Sequence, residues 1–299
     1  THVVVAGWGQ VTQPKETESP RDVPGLMIQA ARRAGHTLAD PSLLSRLDGI
    51  LVVRSLSDHC PDAPAKVARA LGADPGFTHL SDIGGNSPQT LTNLAGAMIA
   101  ENRLERVLVV GAEAYVRRNP GASRPDSALL QGVPQDYDGD DAQGTLPLET
   151  RHGIRHPMQG FPLFETALWH ASGLTLTQYL NRVGHMWAQF SRVAAGHPFA
   201  WSKTLKTAEE ILTPSMKNRP IAFPYTKFMN AFITVDQAAA VILMSEKAAR
   251  EARKKDRPAA YFAGGGYARD RQRFMAQKRD FTMSIPMKTV MDKALDRSG

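Results

Sequence analysis

The residue types able to do chemistry in this chain are few, and the stretch that could position them runs from Ser81 to Tyr115. A glycine pair, Gly84–Gly85, leads into Asn86 and Ser87. Apolar residues at Leu91, Leu94, Ala95, Met98 and Ile99 then repeat at one-face helical spacing. Ser87 suits an N-cap, and Pro88 sits where a first helical turn needs no amide donor. A tight glycine turn that delivers a buried helix N-terminus gathers orphan amides and the positive end of a helix dipole, a place for an oxyanion or a carbonyl oxygen. The alternative is a glycine-rich turn inside an ordinary α/β domain.

Other candidates are thinner. The single cysteine, Cys60, excludes an intrachain disulfide and a multi-cysteine metal site. His59 is adjacent to it, but neighbouring side chains seldom face each other, which argues against a dyad. His152 and His156 are four apart, yet Gly153, Pro157 and the lack of a spaced carboxylate argue against a metal pair, and no metal is expected. Asp136, Asp138 and Asp140 have a calcium-like spacing with a misplaced glycine and no closing glutamate, so they read as a solvated acidic loop. His170, His185 and His197 read as packing or surface residues of a helical region.

The elements that must position these residues alternate. VVVAGW at 3–8 is a first buried strand and PGLMIQAARRAG a helix ending at Gly35. LDGILVVRSL, APAKVARALGA and FTHLSDI follow as strand, helix and strand, and VLVVG at 107–111 as a strand buried on both faces. This rhythm predicts an α/β fold with a mostly parallel sheet covered by helices on both faces. GWGQVT lacks the third glycine and the following helix of a dinucleotide site. From Tyr115 to Pro220 the rhythm breaks into loop material and helices. There Tyr179, Val183, Met186, Trp187 and Phe190 share one face, read as a core stripe. VDQAAAVILMSEKAAREA returns to the core as strand and helix, and the charged EARKKDR run reads as a solvated helix end and linker.

The chain has 299 residues, 42% of them hydrophobic and 22% charged, ordinary globular material with enough length for a sizeable core. It shows no transmembrane-length run and no signal peptide, so a cytoplasmic location is the expectation. A net charge of +7 suggests an anionic partner. The basic residues are dispersed, with no DNA-binding motif or aromatic RNA platform, so no nucleic acid is expected.

GGNSPQTLTNLA, LVVGAEA and NRPIAFPYTKFMNAFITVDQAAAVILMSEKA resemble the thiolase superfamily, more narrowly its sterol-carrier-type, acetyl-CoA-acetyltransferase-like branch. HVVVAGWGQVTQP and FPLFETAL fit the same branch. The resemblance implies a thiolase-like fold with a five-stranded sheet. Residues 1–115 and 220–257 would form the N-terminal half, 116–219 an inserted helical loop domain, and 258–299 the start of a second half. It implies acyl-CoA as substrate or ligand, a place in lipid metabolism, and carbon–carbon bond formation or cleavage by acyl transfer. It also implies a homodimer through strand 77–83 and a small zinc-ribbon/OB-fold companion chain.

In the family a cysteine at the buried helix N-terminus takes the acyl group. The motif alignment puts that position at Gly85, with Ser87 on the motif serine and Pro88 in place of its glycine. Asn86 and Ser87 are then the polar candidates, and the activating histidine and second cysteine would lie beyond Gly299. Asn230-Ala231-Phe232 matches the N-G/A-S element of the pantetheine channel, with Phe232 where a hydrogen-bonding serine would stand. Lys203, Lys206, Lys217, Arg219 and Lys227 offer cations for the ADP end of CoA. Without the cysteine, an inactive acyl-CoA-binding or scaffolding subunit is the alternative function.

Overall fold

A computed structural model describes residues 1–115, 145–232, 234–254, 259–272 and 274–298. In chain order the elements are β1 (Val3–Thr12), α1 (Val23–His36), β2 (Gly49–Val52), α2 (Ala63–Leu71), β3 (Phe77–Leu80), α3 (Ser87–Ala100) and β4 (Arg106–Glu113). There follow α4 (Pro147–Arg151), α5 (Pro157–Ser172), α6 (Leu176–Gly196), α7 (Ala208–Leu212), β5 (Pro220–Ala222) and β6 (Tyr225–Thr226). β7 (Gln237–Ser245), α8 (Glu246–Ala252), β8 (Ala260–Phe262) and α9 (Ile285–Ser298) complete the chain. The described residues divide into two compact units, one of 1–115, 234–254, 259–267 and 290–298, the other of 145–232, 268–272 and 274–289. Asp136, Asp138 and Asp140 lie outside the described residues.

The first unit is built on a six-stranded sheet in the order β3-β2-β4-β7-β1-β8. Its strands are apolar on both sides, and odd and even positions serve different cores. Val4, Ile50, Val52, Leu108, Val110, Ile242 and Met244 pack with Leu26, Met27, Ala30 and Ala34 of α1, Val67 of α2 and Ala248, Ala249 and Ala252 of α8. Val3, Leu51, Val107, Val109 and Leu243 pack on the other face with Leu91, Ala95 and Ile99 of α3. Helices therefore cover both faces. α1 lies so close to β1 that a Cβ on Gly9 would sit 2.2 Å from the Ala30 carbonyl oxygen, so only glycine fits there.

The expectation of a mostly parallel, five-stranded sheet is corrected: the sheet has six strands and is mixed. β2 pairs in parallel with β3 and β4, whereas β7 runs antiparallel to both β4 and β1, and β8 antiparallel to β1. The cause is the long excursion after β4. The chain returns at the end where β4 stopped, so that Gln237 pairs with both Glu113 and Thr12, and β7 must run back against both neighbours.

Among the described residues the second unit has no large sheet. α6 begins with a capping box in which Thr175 and Gln178 exchange side-chain and backbone bonds, and α7 with another between Thr207 and Glu210. Its core joins Val183 of α6, Ile211 of α7 and Met229, with Tyr179, Trp187, Tyr225 and Phe228 partly buried around them. The α6 stripe is narrower than its spacing predicts, because Met186 and Phe190 are exposed, at 47% and 58%. Asn218 is fully buried and ties the unit together. Its amide donates to the carbonyls of Glu210, Ile211 and Thr213, and its oxygen accepts from the Phe228 amide.

Candidate functional site

β1 to β4 all point the same way, so their C-terminal ends share one edge of the first unit's sheet, the edge at which open α/β sheets bind ligands. Two carboxylates lock the loops there. Glu113, at the end of β4, accepts from Ser55 Oγ and the amides of Leu56 and Ser57, each at 2.8 Å. Asp236, fully buried just before β7, accepts from Gln13 Nε2 at 2.8 Å and from the Tyr115 amide at 2.6 Å. Charge-assisted bonds of this kind hold loop backbone in place without a helix or strand to do it. Residue spacing signalled neither carboxylate, since their partners come from remote segments.

The glycine turn enters this edge from β3. α3 starts at Ser87, so its N-cap is Asn86 and not Ser87, and no side chain caps the helix. This corrects the assignment of Ser87 as cap. Ser87 is buried and its hydroxyl donates to the Asp82 carbonyl at 2.8 Å, which turns it inward. Gly85 and Asn86 are exposed. A Cβ built on Gly85 would meet nothing within 4 Å, so the position where a nucleophile would stand is open space beside a bare helix N-terminus.

Cys60 belongs to a different loop. Its Sγ donates to Asp62 Oδ1 at 3.2 Å and accepts from Lys66 Nζ at 3.4 Å, so its partners come from the start of α2 and not from His59. Burial, followed by the bond to Asp62, pushes this thiol up and keeps it protonated. It borders a cavity of about 10 Å³, lined also by Arg54, Ser55 and His59, with room for no more than one water. His152 and His156 fall on two different helix ends, the C-cap of α4 and the N-cap of α5. His170, His185 and His197 are exposed. Among the described residues no group of three or more His, Cys, Asp or Glu side chains is placed to hold a metal.

Asn230, Ala231, Phe232, Lys203 and Arg219 lie in the second unit. Asn230 is half-buried and its Nδ2 donates to the Thr226 carbonyl at 2.8 Å. Ala231 and Phe232 are exposed, Phe232 at 57%. Lys203, Lys217, Arg219 and Lys227 are exposed cations, whereas Lys206 lies over the Phe228 ring, 4.0 Å from its centroid. No described helix is long and apolar enough to cross a membrane.

Sequence reasoning missed one cluster in this unit. Glu165 of α5 accepts a bond from Tyr179 of α6 through one carboxylate oxygen and from Tyr225 of β6 through the other, both at 2.6 Å. The available signal was a lone carboxylate inside the apolar run FPLFETAL.

No protein-family model and no curated protein matches the chain. Solved structures do. A monomeric SCP2-thiolase like protein type 1 (STLP1) from Mycobacterium smegmatis matches 99% of this chain at 27% identity and a TM-score of 0.75, and the chain spans 57% of that protein's length. The Ltp2-ChsH2(DUF35) aldolase matches all of the chain over 70% of its own, at 19% identity and a TM-score of 0.73. The acetyl-CoA acetyltransferase from Syntrophomonas wolfei matches all of the chain over 75% of its own, at 16% identity and a TM-score of 0.51. With a two-faced α/β sheet and a glycine turn feeding a buried helix, the chain has the fold of the thiolase superfamily, and these likenesses support its sterol-carrier-type branch.

Proposed function

We propose that this chain handles acyl-CoA within a thiolase-type enzyme that makes or breaks a carbon–carbon bond beside the thioester, and that it does so without a covalent acyl-enzyme. Gly85 carries the reading. Acyl transfer through the protein needs a thiol at the helix N-terminus, and this position has no side chain, Ser87 is turned inward and Cys60 is protonated elsewhere. What remains is a bare helix N-terminus, which favours negative charge.

That arrangement suits a thioester enolate better than an acyl-enzyme. In an aldol-type cleavage a base takes the β-hydroxyl proton, the bond between the α- and β-carbons breaks, and its electron pair enters the thioester as an enolate. The β-carbon leaves as a carbonyl compound, and the enolate is protonated at the α-carbon. The α3 amides would meet the enolate oxygen, and acid and base would come from residues outside this chain. One relative in fold is an aldolase and another an acetyltransferase, so carbon–carbon chemistry and CoA both have precedent there. The second unit, taken by itself, offers Asn230 and Ala231 as a pantetheine-type element and Lys203, Arg219 and Lys227 as exposed cations suited to phosphates. A companion chain fits this reading, given the ChsH2(DUF35) part of the aldolase. The same Gly85 observation favours a second reading, an acyl-CoA-binding scaffold with no chemistry of its own.

Two measurements test the proposal. Calorimetry should detect acyl-CoA binding that weakens as salt rises, because exposed cations meet the phosphates. Incubation with acetyl-CoA, acid quench and intact mass should give no acetyl adduct. An adduct mapping to residues 84–88 restores a thiolase-type transferase. Absence of heat and of any thermal shift with excess acyl-CoA removes CoA handling altogether.

A further inference from the structure

We propose that Glu165 is a positioning residue for the acyl-CoA element at Asn230–Phe232, a role that rests on the function proposed above. Glu165 sits in the middle of α5 and spends both carboxylate oxygens on tyrosines from two other elements, at 2.6 Å each. Such charge-assisted bonds are about twice as strong as neutral ones. Burial first, and then the bond to Glu165, push the Tyr179 hydroxyl up to about 12 and the Tyr225 hydroxyl further still. Both phenols therefore keep their protons and remain donors throughout the physiological range.

Tyr225 is the link to the ligand element. It is followed by Thr226, whose carbonyl accepts from Asn230 Nδ2 and whose hydroxyl donates to the Ile211 carbonyl at 2.7 Å. The Lys227 amide donates to the Arg219 carbonyl at 2.9 Å. The β5–β6 hairpin and the turn after it are thus held on one side by α7 and Asn218. On the other side Glu165 holds them through Tyr225, helped by an edge-on contact of Phe223 with Trp169. Because Phe223 at the hairpin tip is 60% exposed, its packing alone holds the tip weakly. With Glu165 removed, Tyr225 loses its anchor to α5 and α6, and on that side the hairpin that carries Asn230 keeps only weaker packing such as the Phe223–Trp169 contact.

The test compares E165A, E165Q, Y225F and Y179F with the wild type, well below the melting temperature of each. Acyl-CoA affinity is read by calorimetry and amide hydrogen exchange across residues 220–232 by mass spectrometry. E165A and Y225F should weaken binding by roughly three- to tenfold, the worth of one hydrogen bond, and speed exchange across 220–232. E165Q should restore most of both, since its amide accepts from one phenol and donates to the other oxygen. Y179F should change less, because Tyr179 is not on the hairpin. If E165A fails to fold, Y225F, which keeps its ring, carries the test. Unchanged exchange and affinity in folded E165A or Y225F overturn the role alone. A wild type that binds no acyl-CoA overturns the functional reading and this role with it.

Discussion

Replacing Gly85 by Cys puts a thiol where the family's thioester chemistry needs one, and the geometry fixes what it should do. The new Cβ meets no atom within 4 Å, and Gly85 is not among the glycines with positive φ, so the substitution introduces neither clash nor strain. Stability should hold or rise by about 0.4–1 kcal/mol, because the unfolded chain loses glycine's freedom. The thiol lies beside the N-terminus of a 14-residue helix that no side chain caps. The helix end favours a neighbouring anion by about 0.3–1 kcal/mol at an exposed position and about 2 kcal/mol when partly shielded. At about 1.36 kcal/mol per unit this lowers the thiol from its ordinary value of about 8.5 to between roughly 7 and 8.3. Combining Gly85→Cys with Cys60→Ser leaves the introduced thiol as the only one, and the pH dependence of iodoacetamide alkylation, followed by intact mass, reads its titration. Incubated with acetyl-CoA, this double variant should acquire an acetyl adduct that the wild type lacks. A titration midpoint at or above the ordinary thiol value would refute the reasoning, because the α3 terminus would then exert no pull on the anion that the proposed mechanism places there.

Two further outcomes follow from the edge strand and the tyrosines. β3 is an outer strand with open hydrogen-bonding groups, and we expect two copies to pair through residues 77–83. The Mycobacterium smegmatis relative is monomeric, so light scattering at micromolar concentration decides, and a clean monomer counts against the pairing. The Tyr179 hydroxyl is raised in the folded chain, so the unfolded chain gives up this proton first. Stability from this group should be intact below about pH 10 and fall as pH rises toward 12, measured as a drop in denaturant midpoint that Tyr179→Phe reduces. An equal drop in that variant would show that folding does not raise this phenol.

The first unit was the more legible part. Val107–Val110 and Ile242–Met244 are apolar without alternation, as strands covered on both faces must be, and the Leu91–Ile99 spacing marked the buried side of α3. Strand direction was not legible, because VDQAAAVILMS reads the same whether it runs with or against its neighbours. Ser87 illustrates a limit of local rules. Its type and its place before a proline suit a cap, but a carbonyl five residues back captured the hydroxyl. The α6 stripe shows that a helical period marks a direction but not how wide a strip is covered. Glu165 was hidden because its partners are 14 and 60 residues away, and such distances leave no periodicity.

The insertion of β7 between β4 and β1 has a consequence for how the chain folds as it is made. β1 and β4 emerge early, but the strand that pairs with both does not exist until the ribosome has passed Gln237. At ordinary synthesis rates the stretch from Glu113 to Gln237 takes roughly 6–25 s to appear. Throughout that interval two apolar strands wait with unpaired edges, and closing the sheet afterwards requires contacts between residues more than a hundred positions apart. Topologies dominated by such distant pairings fold slowly and expose aggregation-prone edges. A ribosome-bound chain stalled before Gln237 should therefore bind chaperones, and release them once β7 has been synthesised.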